Sequence, residues 1–260
     1  MIGFCILSSG SKGNATYIES PQAKLLLDCG INYKQLRLKL EEIERSPSDI
    51  DAILVSHEHG DHIKGIEKLA KDHDIPIFAN SATIKEMLKE FSFRPRFKVF
   101  TTGETFEYKD MIIHPFSIQH DTVDPVAFTI EMMGLKFGFC TDLGFATSYT
   151  EQELKGCNYL VLEANHEVAF VHASSRPSVY KERVLSRLGH LSNDQCADLL
   201  AKIYHGELEE VFLAHLSEEC NHPDVALTKI KNHLEGCGIK VKLSVALQHQ
   251  ISKIVGLYRK

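Results

Sequence analysis

The chain has 260 residues, 43% of them apolar and 25% charged, with a formal net charge of −6. That length suits one large domain or two small ones with a sizeable core, no run approaches a membrane span, and the bulk charge does not announce a nucleic-acid binder. Seven cysteines (Cys5, Cys29, Cys140, Cys157, Cys196, Cys220 and Cys237) are odd in number and hold no Cys-x-x-Cys pair. This argues against a disulfide framework or a zinc ribbon and for a reducing compartment. The opening run Met1-Ile2-Gly3-Phe4-Cys5-Ile6-Leu7 is too short and lacks the basic start of a signal peptide. A soluble, cytoplasmic chain forming a single domain over 1–260 is expected.

In chain order, residues 4–7 and 16–19 read as paired strands around Ser8-Ser9-Gly10-Ser11-Lys12-Gly13-Asn14. Glycines let backbone amides approach an anion and Lys12 adds charge, so a phosphate-binding turn through Ser11, Lys12 and Asn14 stands beside the simpler reading of a hairpin loop. Residues 24–27 form a strand ending at Asp28-Cys29-Gly30, where Asp28 either orients a ligand or caps the turn. Helical periodicity follows over 33–43 through Leu36, Leu40 and Ile43. The apolar run 52–55 predicts a buried strand, and it opens onto Ser56-His57-Glu58-His59-Gly60-Asp61-His62. If the chain stays extended there, His57 and His59 project to one side. A helix over 63–72 places Asp61 and His62 at its first turn. Imidazoles and a carboxylate at this density are hard to bury without a cation, and they suit zinc, manganese or iron.

A strand at 76–79 and a helix at 81–91 come next, then a meander of short strands from 98 to 140 in which His120 closes a strand. The strand 136–140 releases Asp142 at a turn, and Thr150 and Glu153 have capping-box spacing for a short helix. The strand 159–162 ends at Glu163-Ala164-Asn165-His166. A basic helix over 177–188 precedes Gly189-His190-Leu191-Ser192-Asn193, with Ser192 and Gln195 spaced as a capping box. The strand 210–214 ends at His215, proline at 223 opens a helix to about 234, and 240–246 is the last strand.

His57, His120, Asp142, Glu163 and His215 each stand at the exit of an apolar strand. His57-x-His59-x-Asp61-His62, followed by His120, Asp142 and His215, resembles the metallo-β-lactamase superfamily of binuclear hydrolases over nearly the whole chain. The segments 163–166 and 189–193, the 8–14 loop and Leu27-Asp28-Cys29-Gly30 are similar to its YycJ/WalJ-like, exonuclease-type subgroup. The resemblance implies an αββα sandwich of two mixed β-sheets flanked by helices. It also implies two divalent metal ions (Zn²⁺ or Mn²⁺): His57, His59 and His120 on one, Asp61, His62 and His215 on the other, with Asp142 bridging. In the related tRNA-processing enzymes, a Glu and a His matching Glu163 and His190 deliver a proton.

The function expected is a binuclear-metal phosphodiesterase, a DNA exonuclease, in which a metal-bridging hydroxide attacks phosphorus. His190, oriented by Glu163, protonates the leaving sugar oxygen, and Asp61 takes part in catalysis as well as ligation. Ser11, Lys12, Asn14, His166 and Asn193 are the candidate substrate contacts. Two basic groups, Arg176/Lys181/Arg183/Arg187 and Lys89/Arg94/Arg96/Lys98, either follow a nucleic-acid backbone or are solvated faces. The competing readings are a glyoxalase II-like thioester hydrolase, which has no need of Glu163 and His190, and a non-catalytic metal-binding regulator.

Overall fold

Short apolar runs punctuated by turns produce two seven-stranded sheets, each changing from antiparallel to parallel pairing partway across. The computed structural model describes residues 2–256. Its strands are β1 (Gly3–Ser8), β2 (Ala15–Glu19), β3 (Lys24–Leu27), β4 (Ala52–Leu54), β5 (Ile77–Ala79), β6 (Phe97–Val99) and β7 (Phe106–Tyr108). Then come β8 (Met111–Ser117), β9 (Val126–Met132), β10 (Leu135–Cys140), β11 (Tyr159–Glu163), β12 (Glu210–Ala214), β13 (Lys242–Val245) and β14 (Val255–Gly256). The first sheet runs β14-β1-β2-β3-β4-β5-β6 and the second β13-β12-β11-β10-β9-β8-β7.

Two compact units divide the chain. One comprises residues up to 115, 122–126 and from 247 onward; the other comprises 116–121 and 127–246. In the first, β3, β4, β5 and β6 pair in parallel, and parallel neighbours need crossover connections. These are α1 (Tyr33–Glu41), the pair α2 (Gly60–Ile63) and α3 (Ile66–His73), and α4 (Ser81–Glu90). Leu36, Leu40, Ile66, Leu69, Ile84 and Met87 from the helices bury against Leu26, Ile53 and Ile77. In the second unit, β10 to β13 are parallel. Its helices are α5 (Ser148–Leu154), α6 (Val168–Ala173), α7 (Ser178–Leu185), α8 (Asn193–Ile203) and α9 (Pro223–Gly236). Leu199, Leu200, Ile230 and Leu234 close its core over Leu160, Leu162 and Leu213.

Most expected elements are present, including the capping box in which Ser192 accepts from the Gln195 amide. Three differ. The helix expected over 63–72 is two helices, because Gly65 is pressed onto the preceding loop. Its amide donates to Cys29 O at 2.7 Å, and a Cβ there would lie 2.2 Å from Ile31 O. The helix expected to open at Thr150 starts a turn earlier, with Thr147 as its cap accepting from the Thr150 amide. Helix α6 and strand β14 are too short for periodicity to reveal.

Gly30 makes the closest approach in the first unit: a Cβ on it would lie 1.6 Å from Asp61 O. Gly30→Ala is therefore expected to lower stability by about 1–3 kcal/mol through overpacking. Gly60→Ala, where no atom lies within 4 Å, should be neutral or stabilising in a denaturant titration. A second prediction concerns Glu19, which accepts from Arg45 Nε at 2.9 Å, Arg45 Nη2 at 3.0 Å and Tyr17 OH at 3.0 Å. Burial raises its pKa, but the Arg45 and Tyr17 hydrogen bonds outweigh burial and leave it below the usual 4.5. A depressed native pKa stabilises above the unfolded value and is lost as pH falls through the native one. Glu19→Gln should cost about 3 kcal/mol at pH 7, and its deficit relative to the parent chain should shrink below about pH 4.5 in urea midpoints measured across pH.

Candidate metal centre

In the first unit the site is built on the exits of β3 and β4. Asp28 follows β3 in a left-handed backbone conformation, φ 56°, which a non-glycine residue adopts at a cost of roughly 1–2 kcal/mol. Its carboxylate accepts from the Ser56 amide at 2.9 Å, from Ser56 Oγ at 2.7 Å and from His62 Nδ1 at 2.8 Å. Because an ionised carboxylate only accepts, His62 Nδ1 carries the proton and Nε2 presents a lone pair. Ser56 Oγ, its hydrogen spent on Asp28, accepts in turn from His57 Nδ1 at 3.0 Å. The His57 ring lies 4.0 Å from His62 and 4.9 Å from His59, centroid to centroid. His59 is the N-cap of α2 and Asp61 lies in that helix's first turn. The four residues of the sequence motif therefore gather in one place. Asp28 holds the His62 ring as well as the turn.

The second unit repeats this logic. His120 Nδ1 donates to Gly189 O at 3.1 Å, and burial chiefly lowers its pKa, keeping it the neutral imidazole that binds metals. Asp142 and His215 leave β10 and β12 with left-handed φ values of 58° and 54°. Glu163, the last residue of β11 and wholly buried, takes His190 Nδ1 at 2.9 Å and His215 Nδ1 at 2.7 Å on Oε1. Its Oε2 accepts the Leu143 and Leu191 amides at 2.8 and 3.0 Å. Burial pushes this carboxyl up, but His190 and His215 overcome that and hold it well below the usual carboxylate range. Asp142, Glu163, His190 and His215 offer ligand atoms all within 4.8 Å of one another. Asp142 Oδ1 is also 3.6 Å from His120 Nε2. The His190 side chain keeps 15% exposure, so it alone of this group is open to a reactant.

Does this donor set fit divalent cations? At His57, His62, His120 and His215 the Nδ1 proton is spent on an oxygen acceptor. That makes Nε2 the unprotonated nitrogen of each ring, and Asp61 in the first unit and Asp142 in the second add carboxylates. An array of acceptors gathered in each unit calls for a cation, and imidazole with carboxylate is the ligation that zinc and manganese accept. The residues fit.

The expected substrate contacts fare differently. The amides of Gly10, Lys12, Gly13 and Asn14 bond to Asn14 Oδ1, Gln248 Oε1, Gly10 O and Asp61 O. The 8–14 loop is thus no amide cradle for an anion; only its Ser11 and Lys12 side chains stand exposed. Asn14 is tied to the ligand segment, with Nδ2 3.0 Å from His62 Nε2. Asn193 is fully buried, donates to Glu167 and Asn221 and accepts from Asn221. Both its amide atoms are engaged within the second unit. His166 is buried, its Nδ1 is without a partner, and burial pushes its pKa down to about 4. Four of the eight basic residues are paired with carboxylates: Arg176 with Glu219, Arg183 with Asp121, Lys89 with Glu86 and Arg96 with Asp74. Arg187 lies 4.0 Å over the Phe145 ring. Ser56 and Gln248 were not singled out in the sequence. Ser56 lies beside the histidine motif, which is a signal of sorts; Gln248 carries none.

The Beta-lactamase superfamily domain model matches residues 23–215, a span that enters both units. The exodeoxyribonuclease YycJ of Bacillus anthracis is 32% identical over 241 residues, 92% of this chain and 91% of that protein. The exodeoxyribonuclease WalJ of Streptococcus pneumoniae is 34% identical over 253 residues, 93% of this chain and 94% of that one. Among solved structures, the metallo-β-lactamase fold protein YhfI of Bacillus subtilis superposes with a TM-score of 0.72 at 17% identity, covering 96% of this chain and 97% of YhfI. With a strand-exit set of histidines and carboxylates on two mixed sheets flanked by helices, the chain belongs to the metallo-β-lactamase superfamily, in its YycJ/WalJ-like subgroup, and is a metal-dependent hydrolase.

Proposed function

We propose that the chain is a binuclear-metal phosphodiesterase that degrades DNA from an end. The observation that carries this reading is the Glu163–His190 pair. A carbonyl hydrolase of glyoxalase II type has no use for a histidine held by a buried carboxylate and still 15% exposed. A phosphodiesterase needs one, because the departing sugar oxygen must gain a proton. The exodeoxyribonuclease names of two relatives that match over most of their length support the same substrate class.

His57, His59, Asp61 and His62 in the first unit, and His120, Asp142 and His215 in the second, are the residues that would hold divalent cations. Bound there, divalent cations supply Lewis acidity toward phosphoryl oxygens and a water acidic enough to ionise near neutral pH. The chain's own residues do the rest. Glu163 fixes His190 Nδ1 at 2.9 Å, so Nε2 is the atom that hands over the proton. Through His215 Nδ1 at 2.7 Å, the same carboxylate couples the acid to the ligand set. Asp28 and Ser56 keep His57 and His62 in one tautomer. Within its own segment, Asp61 stands at the ligand position nearest the exposed loop residues Ser11 and Lys12, the part of the substrate reading that the amide bonding of that loop leaves open.

End-labelled duplex and single-stranded DNA and RNA, incubated with Mn²⁺ or Zn²⁺, should release mononucleotides from DNA. His59→Ala should lose metal and activity together. His190→Ala should keep its metal stoichiometry and lose about 10²–10⁴-fold in kcat. Failure to cut any nucleic acid with both metals bound overturns the reading, and turnover of thioesters instead would establish the glyoxalase II-type alternative. A separate prediction concerns the ligand-orienting carboxylate: Asp28→Asn should weaken metal binding about 10–100-fold in chelator competition.

A further inference from the structure

A cleft of ≈ 730 Å³ opens beside Asp61 entirely within the first unit, inside the range of roughly 300–1,000 Å³ typical of small-molecule sites. Ser11 and Lys12 line it, as do Asp61 and Lys64 and, from the end of α4, Glu90 and Phe91. The order along its floor follows from the chain. Asp61 lies in α2 and Lys64 is that helix's C-cap. Glu67, also on the wall, lies in the first turn of α3 and accepts from Ser92 Oγ at 2.7 Å, which ties α3 to the residues just after α4. Cations therefore stand next to the metal ligand, and an aromatic ring and two carboxylates stand beyond them.

The Lys12 wall is held from behind. Gln248 accepts from the Lys12 amide at 2.8 Å and donates through Nε2 to Ser8 Oγ at 2.8 Å and Gly13 O at 2.9 Å. Gln248 is itself buried, so the loop that presents Ser11 and Lys12 is clamped.

Resting on the phosphodiesterase reading, we infer that this cleft seats a single terminal nucleotide of the DNA strand. Lys12 and Lys64 meet its phosphate, Phe91 stacks on its base, and Glu67 and Glu90 repel any backbone continuing past it. Two lysines and an aromatic ring are the elements by which proteins hold single strands. The acidic end turns such a grip into recognition of an end: a chain continuing beyond one nucleotide brings its next phosphate against carboxylates. Gln248 is a positioning residue for this subsite.

The test measures DNA binding apart from turnover. In the metal-loaded His190→Ala background, anisotropy of a fluorescent single-stranded oligonucleotide should show Lys64→Ala weakening binding about tenfold. It should also show the salt dependence falling by about one phosphate contact. Gln248→Ala should act in the same direction, with Gln248→Glu failing to restore it because Nε2 is lost. Lys68→Ala, paired with Asp72 on the next turn, should change nothing. With His190 intact, Lys64→Ala should raise KM for DNA far more than KM for bis(p-nitrophenyl) phosphate, and Glu90→Lys should permit nicking of circular single-stranded DNA that the parent chain leaves whole. Unchanged affinity and salt dependence in Lys64→Ala, or KM rising equally for both substrates, overturns the subsite while the phosphodiesterase reading stands. If the parent chain cuts neither DNA nor the small diester with metal bound, both fall.

Discussion

Two buried carboxylates set the chemistry of this protein by accepting hydrogen bonds that fix imidazole Nδ1 groups. Asp28 accepts from His62 directly and from Ser56 Oγ, which accepts in turn from His57. Glu163 accepts from His190 and His215. Each carboxylate is desolvated, and desolvation is tolerable only because several donors converge on it. Backbone amides complete both sets: Ser56 N for Asp28, and Leu143 N and Leu191 N for Glu163. The same carboxylates therefore fix backbone turns, ring orientations and tautomers together. Remove either and the nearby imidazoles lose the reason to present Nε2, so the imidazole set and the fold around it depend on one kind of interaction.

The strand exits contribute a second constraint. Asp28, Asp142 and His215 all adopt positive φ, which turns each side chain away from the line of its strand. Three non-glycine residues in the left-handed region represent a few kcal/mol of stored strain by the usual scale of about 1–3 kcal/mol each. The parallel strands β3, β4, β10, β11 and β12 supply the rigidity that holds it. They are short and almost fully buried, so they do not relax to relieve a turn at their carboxyl ends. Open α/β sheets gather functional groups at those ends for this reason.

Charge on the rest of the surface is mostly spent locally. Three of the five arginines that look in the sequence like a nucleic-acid track are paired, with Glu219, Asp121 and Asp74. Six of the seven cysteines are buried and none is in a disulfide; burial raises the thiols of Cys5, Cys29, Cys140, Cys157 and Cys196 and leaves them poor nucleophiles. No helix among the described residues is long and apolar enough to cross a membrane. In the first unit the side chains of Lys12 and Lys64 stand exposed, and in the second His190 keeps partial exposure.

The sequence by itself determined the elements and the ligand types. Apolar runs ending in His57, Asp142, Glu163 and His215 announce strand exits with chemistry on them, and Ser192 with Gln195 announces a helix start, because these signals are local in the chain. Only the tertiary structure decided the rest. That Gly65 breaks a helix depends on Cys29 and Ile31, more than thirty residues earlier. That Asn193 is a buried partner of Asn221 and Glu167 depends on a loop from elsewhere in the second unit. That the 8–14 loop spends its amides internally depends on Gln248, at the far end of the chain. Hydrogen-bond partners separated by such distances leave no periodicity or spacing to read, and which groups are consumed by the fold and which stay open to a substrate is settled only when the chain has closed on itself.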